Sequence, residues 1–154
     1  MKFNRLYPRV LAAPLLAALM LVAASAQSTA VAVQSHKSYD QTVSSLKSAV
    51  SQGGMMVMAT VDQGNMLSMA GLQLKATLFL VGNPTVGKAL FEQDHAVGLY
   101  VPLRVFVYQG KDGHTYVSYD RPSALLAQFH NQAIDKTAAM LDQKLQGLVG
   151  MVTK

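Results

Sequence analysis

Apolar and polar positions alternate along several short stretches of the chain, which predicts strands. Residues 28–36 and 55–62 alternate in this way, and residues 75–81 are apolar at nearly every position, as in an interior strand. Two further runs, 97–109 and 114–120, are rich in β-branched and aromatic residues and flank the turn sequence GKDG. They predict a hairpin, in which Pro102 indicates a bulge or an edge position. In the stretch 55–62, alternation places Met55, Val57, Ala59 and Val61 on one face and Met56, Met58 and Thr60 on the other.

Helix signals separate these strands. Ser38 and Gln41 have the spacing of a capping box, which predicts the start of a helix. Glycines at 53 and 54 predict its end. Asn83 and Pro84 predict the cap and first residue of a second helix that runs to about Gln93, and residues 63–74 are expected to form a short helix or turn. After Asn131 an apolar stripe predicts an amphipathic helix or a helix pair. Its positions are Ile134, Ala138, Leu141, Leu145, Leu148 and Val152.

The first 26 residues have the layout of a secretory signal. Lys2, Arg5 and Arg9 precede an apolar stretch over 10–22, and small residues follow at 24–26. Thirteen apolar residues are too few for a membrane-spanning helix, which takes about 20. We therefore expect cleavage after Ala26 and one globular domain over 27–154, located in the periplasm or secreted, with no membrane attachment after cleavage. Retention of the segment as an uncleaved anchor is the alternative.

Composition narrows the classes of function. The chain is 51% hydrophobic and 14% charged, which is typical of a globular protein and not of a disordered one. Loss of three basic residues with the signal would lower the net charge from +5 to +2, so nothing in the charge favours a nucleic-acid partner. The chain has no cysteine, which excludes disulfides, a thiol nucleophile and a cysteine zinc site.

Three segments resemble a known family. The sequences AVQSHKSYDQTVSSLKSAVSQGG, FLVGNPTVGKAL and GLYVPLRVFVYQGKDGHTYVSYDRP are similar to the family catalogued as domain of unknown function 302, and the resemblance covers nearly all of residues 27–154. It implies an α+β domain of strand–helix–four strands–helix order, with an antiparallel sheet and helices on one face, similar to a single TATA-binding-protein-like unit. Such domains tend to pair as homodimers. The resemblance implies no activity, and Gln63 and Leu103 replace a His and a Cys found in other members.

Chemical motifs are weak. Gly82 to Lys88 fits the spacing of a phosphate-binding loop, but Ala89 replaces the hydroxyl residue that would bind magnesium and Pro84 supplies no N–H. We therefore expect a capped helix there and no bound nucleotide.

The four histidines fall on separate elements without metal-binding spacing, and the clustered methionines alternate along the chain as core residues do. The sequence thus predicts no catalytic residue, no metal and no cofactor.

Arg104 is the most informative single residue. Alternation places Arg104, Phe106 and Tyr108 on one face of a strand, and the hairpin adds Tyr116. An arginine among aromatic rings can bind a carboxylate or phosphate, or extend its stem over apolar surface. The candidate ligand-binding residues are therefore Arg104, Tyr108, Tyr116 and Asn83.

Two functions follow from this surface. The first is a non-catalytic binding module for a small molecule or a protein, in which a homodimer buries the face around Arg104; pairing through the terminal helix is the alternative interface. The second is an enzyme of unknown reaction that uses a pocket holding Arg104 with Asp62 or His36. A closed polar pocket would favour the enzyme, and a flat aromatic face would favour the binding module.

Overall fold

Five strands form one antiparallel sheet in the computed structural model, which describes residues 29–154. The expected signal peptide, residues 1–26, and its cleavage site lie outside the described residues. The elements are β1 Ala30–Ser35, α1 Tyr39–Gln52, β2 Met56–Asp62, α2 Gln63–Ser68, β3 Ala76–Gly82, α3 Pro84–Phe91, β4 Leu103–Gln109, β5 Thr115–Asp120, α4 Pro122–Leu126 and α5 Gln132–Val152. The strand order is β1-β5-β4-β3-β2, so β4 is the central strand. The expected α+β class is confirmed, and α2, α3 and α4 are short additions between the main elements.

Local sequence signals explain the helix ends. Ser38 and Gln41 form the predicted capping box of α1, and Gly53 follows its last residue. Asn83 caps α3 and Pro84 occupies the first turn, as expected, and the helix ends at Phe91, slightly before the predicted Gln93. Each of these signals involves residues that are close in sequence, which is why they could be identified without knowing the fold.

The hydrophobic core lies between one face of the sheet and the helices α1 and α5. Phe79, Val105, Val107 and Val117 point into it from three neighbouring strands and are fully buried. The predicted stripe of the terminal segment lies on one continuous helix, α5, and its six positions are between 0% and 5% exposed: Ile134, Ala138, Leu141, Leu145, Leu148 and Val152. Because these six side chains are already buried within one chain, they are not available to form an apolar interface between two terminal helices, which was the alternative interface.

A β-bulge in β2 corrects the predicted faces of that strand. Val57 pairs with Val81 whereas Ala59 already pairs with Leu80, so Met58 is an additional residue without its own register partner. Because cross-strand partners share a face, Val57 lies on the core side with Val81, and Ala59 lies on the opposite side with Leu80. The expectation that Val57 and Ala59 share one face is therefore wrong. A bulge shifts the alternation by one residue and leaves no mark in the hydrophobic pattern.

Pro102 does not mark an edge strand. It follows a cis peptide bond from Val101 and comes directly before β4, which has β3 on one side and β5 on the other. The expected edge position is therefore wrong. The proline is compatible with a central strand because it lies outside the paired residues, where the ladder needs no N–H from it.

Candidate functional site

The face of the sheet opposite α1 and α5 is the first candidate site, and we call it the open face. The register between the strands places on it Leu78 and Leu80 of β3, Arg104, Phe106 and Tyr108 of β4, and Tyr116, Ser118 and Asp120 of β5. The pleat alternates these residues with the core residues of the same strands. None of the eight side chains belongs to the buried core, and each is partly or largely exposed. The open face is therefore the surface on which the predicted aromatic residues meet.

Three aromatic rings form a row on the open face. The ring centroids of Phe106 and Tyr108 are 5.0 Å apart with 15° between the planes, and those of Tyr108 and Tyr116 are 5.5 Å apart with 22°. Tyr108 and Tyr116 oppose each other in the register, which is why their rings can stack across the two strands. The three rings thus form one continuous aromatic strip across the centre of the sheet.

A hydrogen bond in the β4–β5 turn fixes one end of this strip. The Tyr116 hydroxyl donates to Asp112 Oδ2 over 2.6 Å, and the His114 N–H donates to Oδ1 of the same carboxylate. The first bond raises the pKa of Tyr116 and, with the second, lowers the pKa of Asp112. Both groups are therefore in the protonation states that maintain the bond at neutral pH.

An ion pair lies at the other end of the strip. Arg104 Nη2 donates to Asp120 Oδ2 over 3.1 Å, and the Thr29 hydroxyl donates to Oδ1 over 2.9 Å. The Arg104 side chain is still 59% exposed. The pair lines a shallow depression of about 330 Å³ together with Gln63 and Phe106. Arg104 is thus already partnered within the chain, and a ligand carboxylate would have to compete with Asp120.

The structure brings together three of the four predicted ligand-binding residues and separates the fourth. Arg104, Tyr108 and Tyr116 share the open face, whereas Asn83 follows the far end of β3. Tyr108 opposes Ala76 at the start of β3, so Asn83 lies about 20 Å away along the strand. Asn83 Oδ1 accepts from the N–H groups of Thr85 and Val86, and its Nδ2 donates to the Gly54 carbonyl. All of its side-chain polar atoms are therefore engaged locally.

The phosphate-loop spacing is explained by the same contacts. Two backbone N–H groups at the start of α3, which a phosphate would use, already bond to Asn83 Oδ1. Lys88 Nζ lies 3.3 Å from Glu92 Oε1 on the helix surface. The expected capped helix is therefore what the sequence forms.

An apolar cleft beside Asn83 was not identified from the sequence. It has a volume of about 390 Å³ and lies between the end of β3, α3, the start of β4 and α5, with Met55, Val81, Leu90, Leu103 and Leu141 among its lining residues. The walls come from separate segments that only the fold brings together. No hydrophobic periodicity in the sequence identifies these residues as one wall. The only local signal is the pair of small residues Gly82 and Gly87, which leave space in the lining.

The residues proposed for an enzymatic pocket are not assembled around Arg104. Asp62 Oδ1 accepts from the Asn65 N–H and caps α2, and the His36 N–H donates to the carbonyl of Thr153. Neither residue lines the depression at Arg104.

Among residues 29–154 no three side chains of the metal-binding types are grouped closely enough to hold a metal ion. Within this same range, no helix combines the length and apolar character needed to cross a bilayer.

The chain matches a protein family, and its fold is similar to that of a solved structure. Residues 31–152 match the family described as domain of unknown function DUF302. The fold is similar to the crystal structure of an uncharacterized conserved protein DUF302 from Bacillus stearothermophilus, with a TM-score of 0.75 and 20% identity over 82% of this chain and 98% of that one. The family match confirms the family resemblance, and the solved structure confirms the α+β architecture expected from the sequence.

Curated relatives are longer proteins. Over 111 residues the chain is 31% identical to the fluoride-specific ion channel FluC 1 of Brucella suis and of Brucella abortus, and to FluC 2 of Brucella melitensis. The match covers 71% of this chain but only 43% of the first protein and 41% of the other two. The chain therefore spans less than half the length of these relatives.

Proposed function

Because the chain belongs to the family of the domain of unknown function DUF302, we propose that its role is that of an exported, non-catalytic binding module that pairs as a homodimer through the open face. The observation that carries the proposal is the row of stacked rings, Phe106, Tyr108 and Tyr116, on the side of the sheet opposite α1 and α5. Aromatic side chains of this kind are enriched at protein interfaces because they combine a large apolar area with a polar end.

The apolar surface extends beyond the strip at the β2 edge of the sheet. Met56 and Met58 are 49% and 46% exposed there. The segment 63–74, which begins beside the open face at Gln63, contains no charged residue and exposes Met66, Met69 and Leu72. Monomers seldom expose contiguous apolar patches larger than a few hundred Å², and larger patches usually mark an interface. The extent of this surface supports a macromolecular partner over a small ligand.

The charges on the open face support a second copy of the chain as that partner. Its one arginine, Arg104, is paired with its aspartate, Asp120, so two identical faces can meet without repulsion between unpaired like charges. In a twofold interface each patch contacts its own copy, which requires a surface that is compatible with itself. The central strand β4 carries Phe106 near the middle of the face, where a twofold axis would stack two copies of the row.

Light scattering on residues 27–154 tests this proposal. The parent is expected to have the mass of a dimer, and Tyr108→Asp the mass of a monomer with an unchanged circular dichroism spectrum, because the new carboxylate would be buried in the interface. Gln143→Asp is the matched control, since Gln143 is exposed on α5. It should leave the dimer intact. A monomeric parent would refute the homodimer.

Export is the second part of the proposal and has its own test. It rests on the basic residues, the short apolar stretch and the small residues at 24–26. Mass spectrometry of the protein recovered from the producing cell should find a chain that begins at Gln27. A full-length chain in the membrane fraction would contradict cleavage and favour an uncleaved anchor.

A further inference from the structure

The apolar cleft at the end of β3 is open to the surface on one side and has none of the three rings of the aromatic strip in its lining. Its floor is made by Val81, Leu90 and Leu103, which are between 0% and 5% exposed and belong to the hydrophobic core. The rim carries Phe91 and Met58, which are 41% and 46% exposed. The cleft therefore leads from the surface into the core, as ligand pockets of about 300–1,000 Å³ do.

The polar groups of the lining are already satisfied. The Asn83 side chain bonds to three backbone groups, and Lys88 is paired with Glu92 at the surface. Among the residues that the structure describes, no buried side-chain nitrogen or oxygen lacks a hydrogen-bond partner. A polar occupant would lose its hydrogen bonds to water and gain none in the cleft, whereas a hydrocarbon would lose nothing. The chemistry of the walls therefore selects an apolar occupant.

The size of the cleft limits that occupant. A water molecule takes about 30 Å³ of liquid, and a methylene group is of similar size, so a volume of about 390 Å³ holds roughly a dozen such groups. Met55 and Met58 contribute flexible thioether side chains that can adjust to the shape of a ligand. We propose that this cleft binds the hydrocarbon part of one free amphiphile, an acyl chain of about ten carbons or a ring system of equal volume. Met58 also belongs to the apolar surface at the β2 edge, but the aromatic strip contributes no residue to the cleft, so binding in the cleft can be tested separately from pairing.

Glycine positions on two helices allow a matched pair of variants. Gly87 lines the cleft, and a Cβ added to it would meet no atom within 4 Å, so a larger side chain there would fill cleft space without disturbing the fold. Gly147 on α5 is also free of neighbours within 4 Å and does not line the cleft. Both changes replace a helical glycine with leucine, which favours the helix. Gly87→Leu should therefore block the cleft, and Gly147→Leu should serve as its control.

Titration calorimetry with decanoic acid and with 1-decanol, both below their aggregation concentrations, tests the proposal. The parent and Gly147→Leu should bind both compounds at one site per chain, whereas Gly87→Leu should weaken binding by at least about tenfold. Because the chain and not the headgroup is recognised, Lys88→Ala should change either affinity less than about threefold. Absence of saturable binding to the parent, or equal binding by Gly87→Leu, would overturn the proposal.

Phosphatidylcholine vesicles distinguish a free amphiphile from a bilayer as the source of the chain. The parent should not sediment with these vesicles, because the floor of the cleft lies in the core, beyond the reach of a lipid that stays in its bilayer. Sedimentation that Gly87→Leu abolishes would assign the cleft to a membrane surface and overturn the proposal of a free ligand. Light scattering of Gly87→Leu should still show the parent's mass, which separates failure of this site from failure of the dimer.

Discussion

The two faces of the central strand differ in chemistry as well as in burial. Val105 and Val107 point toward the helices and are fully buried. Their cross-strand neighbours on that side are Phe79, Val117, Thr77 and Tyr119, all of them buried. Phe106 and Tyr108 point the other way, on the same face as Arg104. The core side is mainly aliphatic, carries no charged group on these three strands and has only a few hydroxyls, whereas the open face combines rings with hydroxyl, guanidinium and carboxylate groups. This difference distinguishes a surface that is always buried from one that can be exposed and then covered.

Adjacent residues on β4 provide the most severe test of this comparison. Val107→Asp would bury a carboxylate without a partner and should cost more than about 5 kcal/mol, so that the protein does not fold. Tyr108→Asp places the same group on the open face, where water can reach it in the monomer, and should cost about 1 kcal/mol. Circular dichroism shows whether Val107→Asp is folded, and urea denaturation of the parent and of Tyr108→Asp measures the smaller cost. A folded Val107→Asp protein would show that the covered face is not a continuous core.

A phenylalanine on each face offers a milder version of the same test. Phe79→Ala empties a fully buried position on β3 and should lower the free energy of unfolding by about 3–5 kcal/mol. Phe106→Ala should cost about 1 kcal/mol in a monomer, because its ring is only partly buried. Both changes should be measured by urea denaturation in the Tyr108→Asp background, so that dimerisation does not contribute. Equal costs would contradict the distinction between the faces.

Polar pairs on the two sides of the sheet should also differ in how much they contribute to the free energy of unfolding. Asp142 of α5 accepts hydrogen bonds from the Ser123 N–H and from the Ser123 hydroxyl, which ties α4 to α5 in a partly buried position. Asp142→Ala should cost about 2 kcal/mol, because two bonds to a charged group are lost. Arg104→Ala should cost less than about 1 kcal/mol, since its side chain is 59% exposed. Denaturation at low and high salt provides the check, and a larger cost for Arg104 would reverse the order proposed here.

The smallest expected effect is a pH dependence at the end of the aromatic strip. The Tyr116 hydroxyl lowers the pKa of Asp112 below 3.8, so this contribution to stability is present above that value and is lost as pH falls through the lowered pKa. The bond also raises the pKa of Tyr116 above 10.0, so its contribution is present below pH 10.0 and is lost as pH rises further. NMR titration of the Asp112 carboxyl group should show a higher pKa in Tyr116→Phe. An unchanged value would show that this hydrogen bond does not form.

The sequence predicts the features that depend on neighbouring residues better than those that depend on pairing. The capping box at Ser38 and Gln41 and the buried stripe of α5 involve residues within a few turns of one helix, and both were identified correctly. The bulge at Met58 depends on how β2 pairs with β3, and the partner of Arg104 depends on the register of β4 with β5. Hydrophobic alternation contains neither piece of information.

The candidate surfaces also differ in how far they depend on residues that are distant in sequence. Three residues of the open face were predicted because alternation and one hairpin are enough to place Arg104, Tyr108 and Tyr116 together. Asn83 was grouped with them, although its distance from Tyr108 is set by the length of β3. The apolar cleft could not be predicted, since its walls come from the ends of two strands and from two helices far apart in sequence.

Site-specific cross-linking tests the central claim, that two open faces meet, most directly. The chain has no cysteine, so one introduced thiol is unique. Ser118 opposes Phe106 near the centre of the open face, and Gln143 is exposed on α5 on the other side of the molecule. With a short bismaleimide reagent at dilute concentration, Ser118→Cys should yield a covalent dimer and Gln143→Cys should remain a single chain. Cross-linking through Gln143→Cys, with none through Ser118→Cys, would contradict the proposed interface.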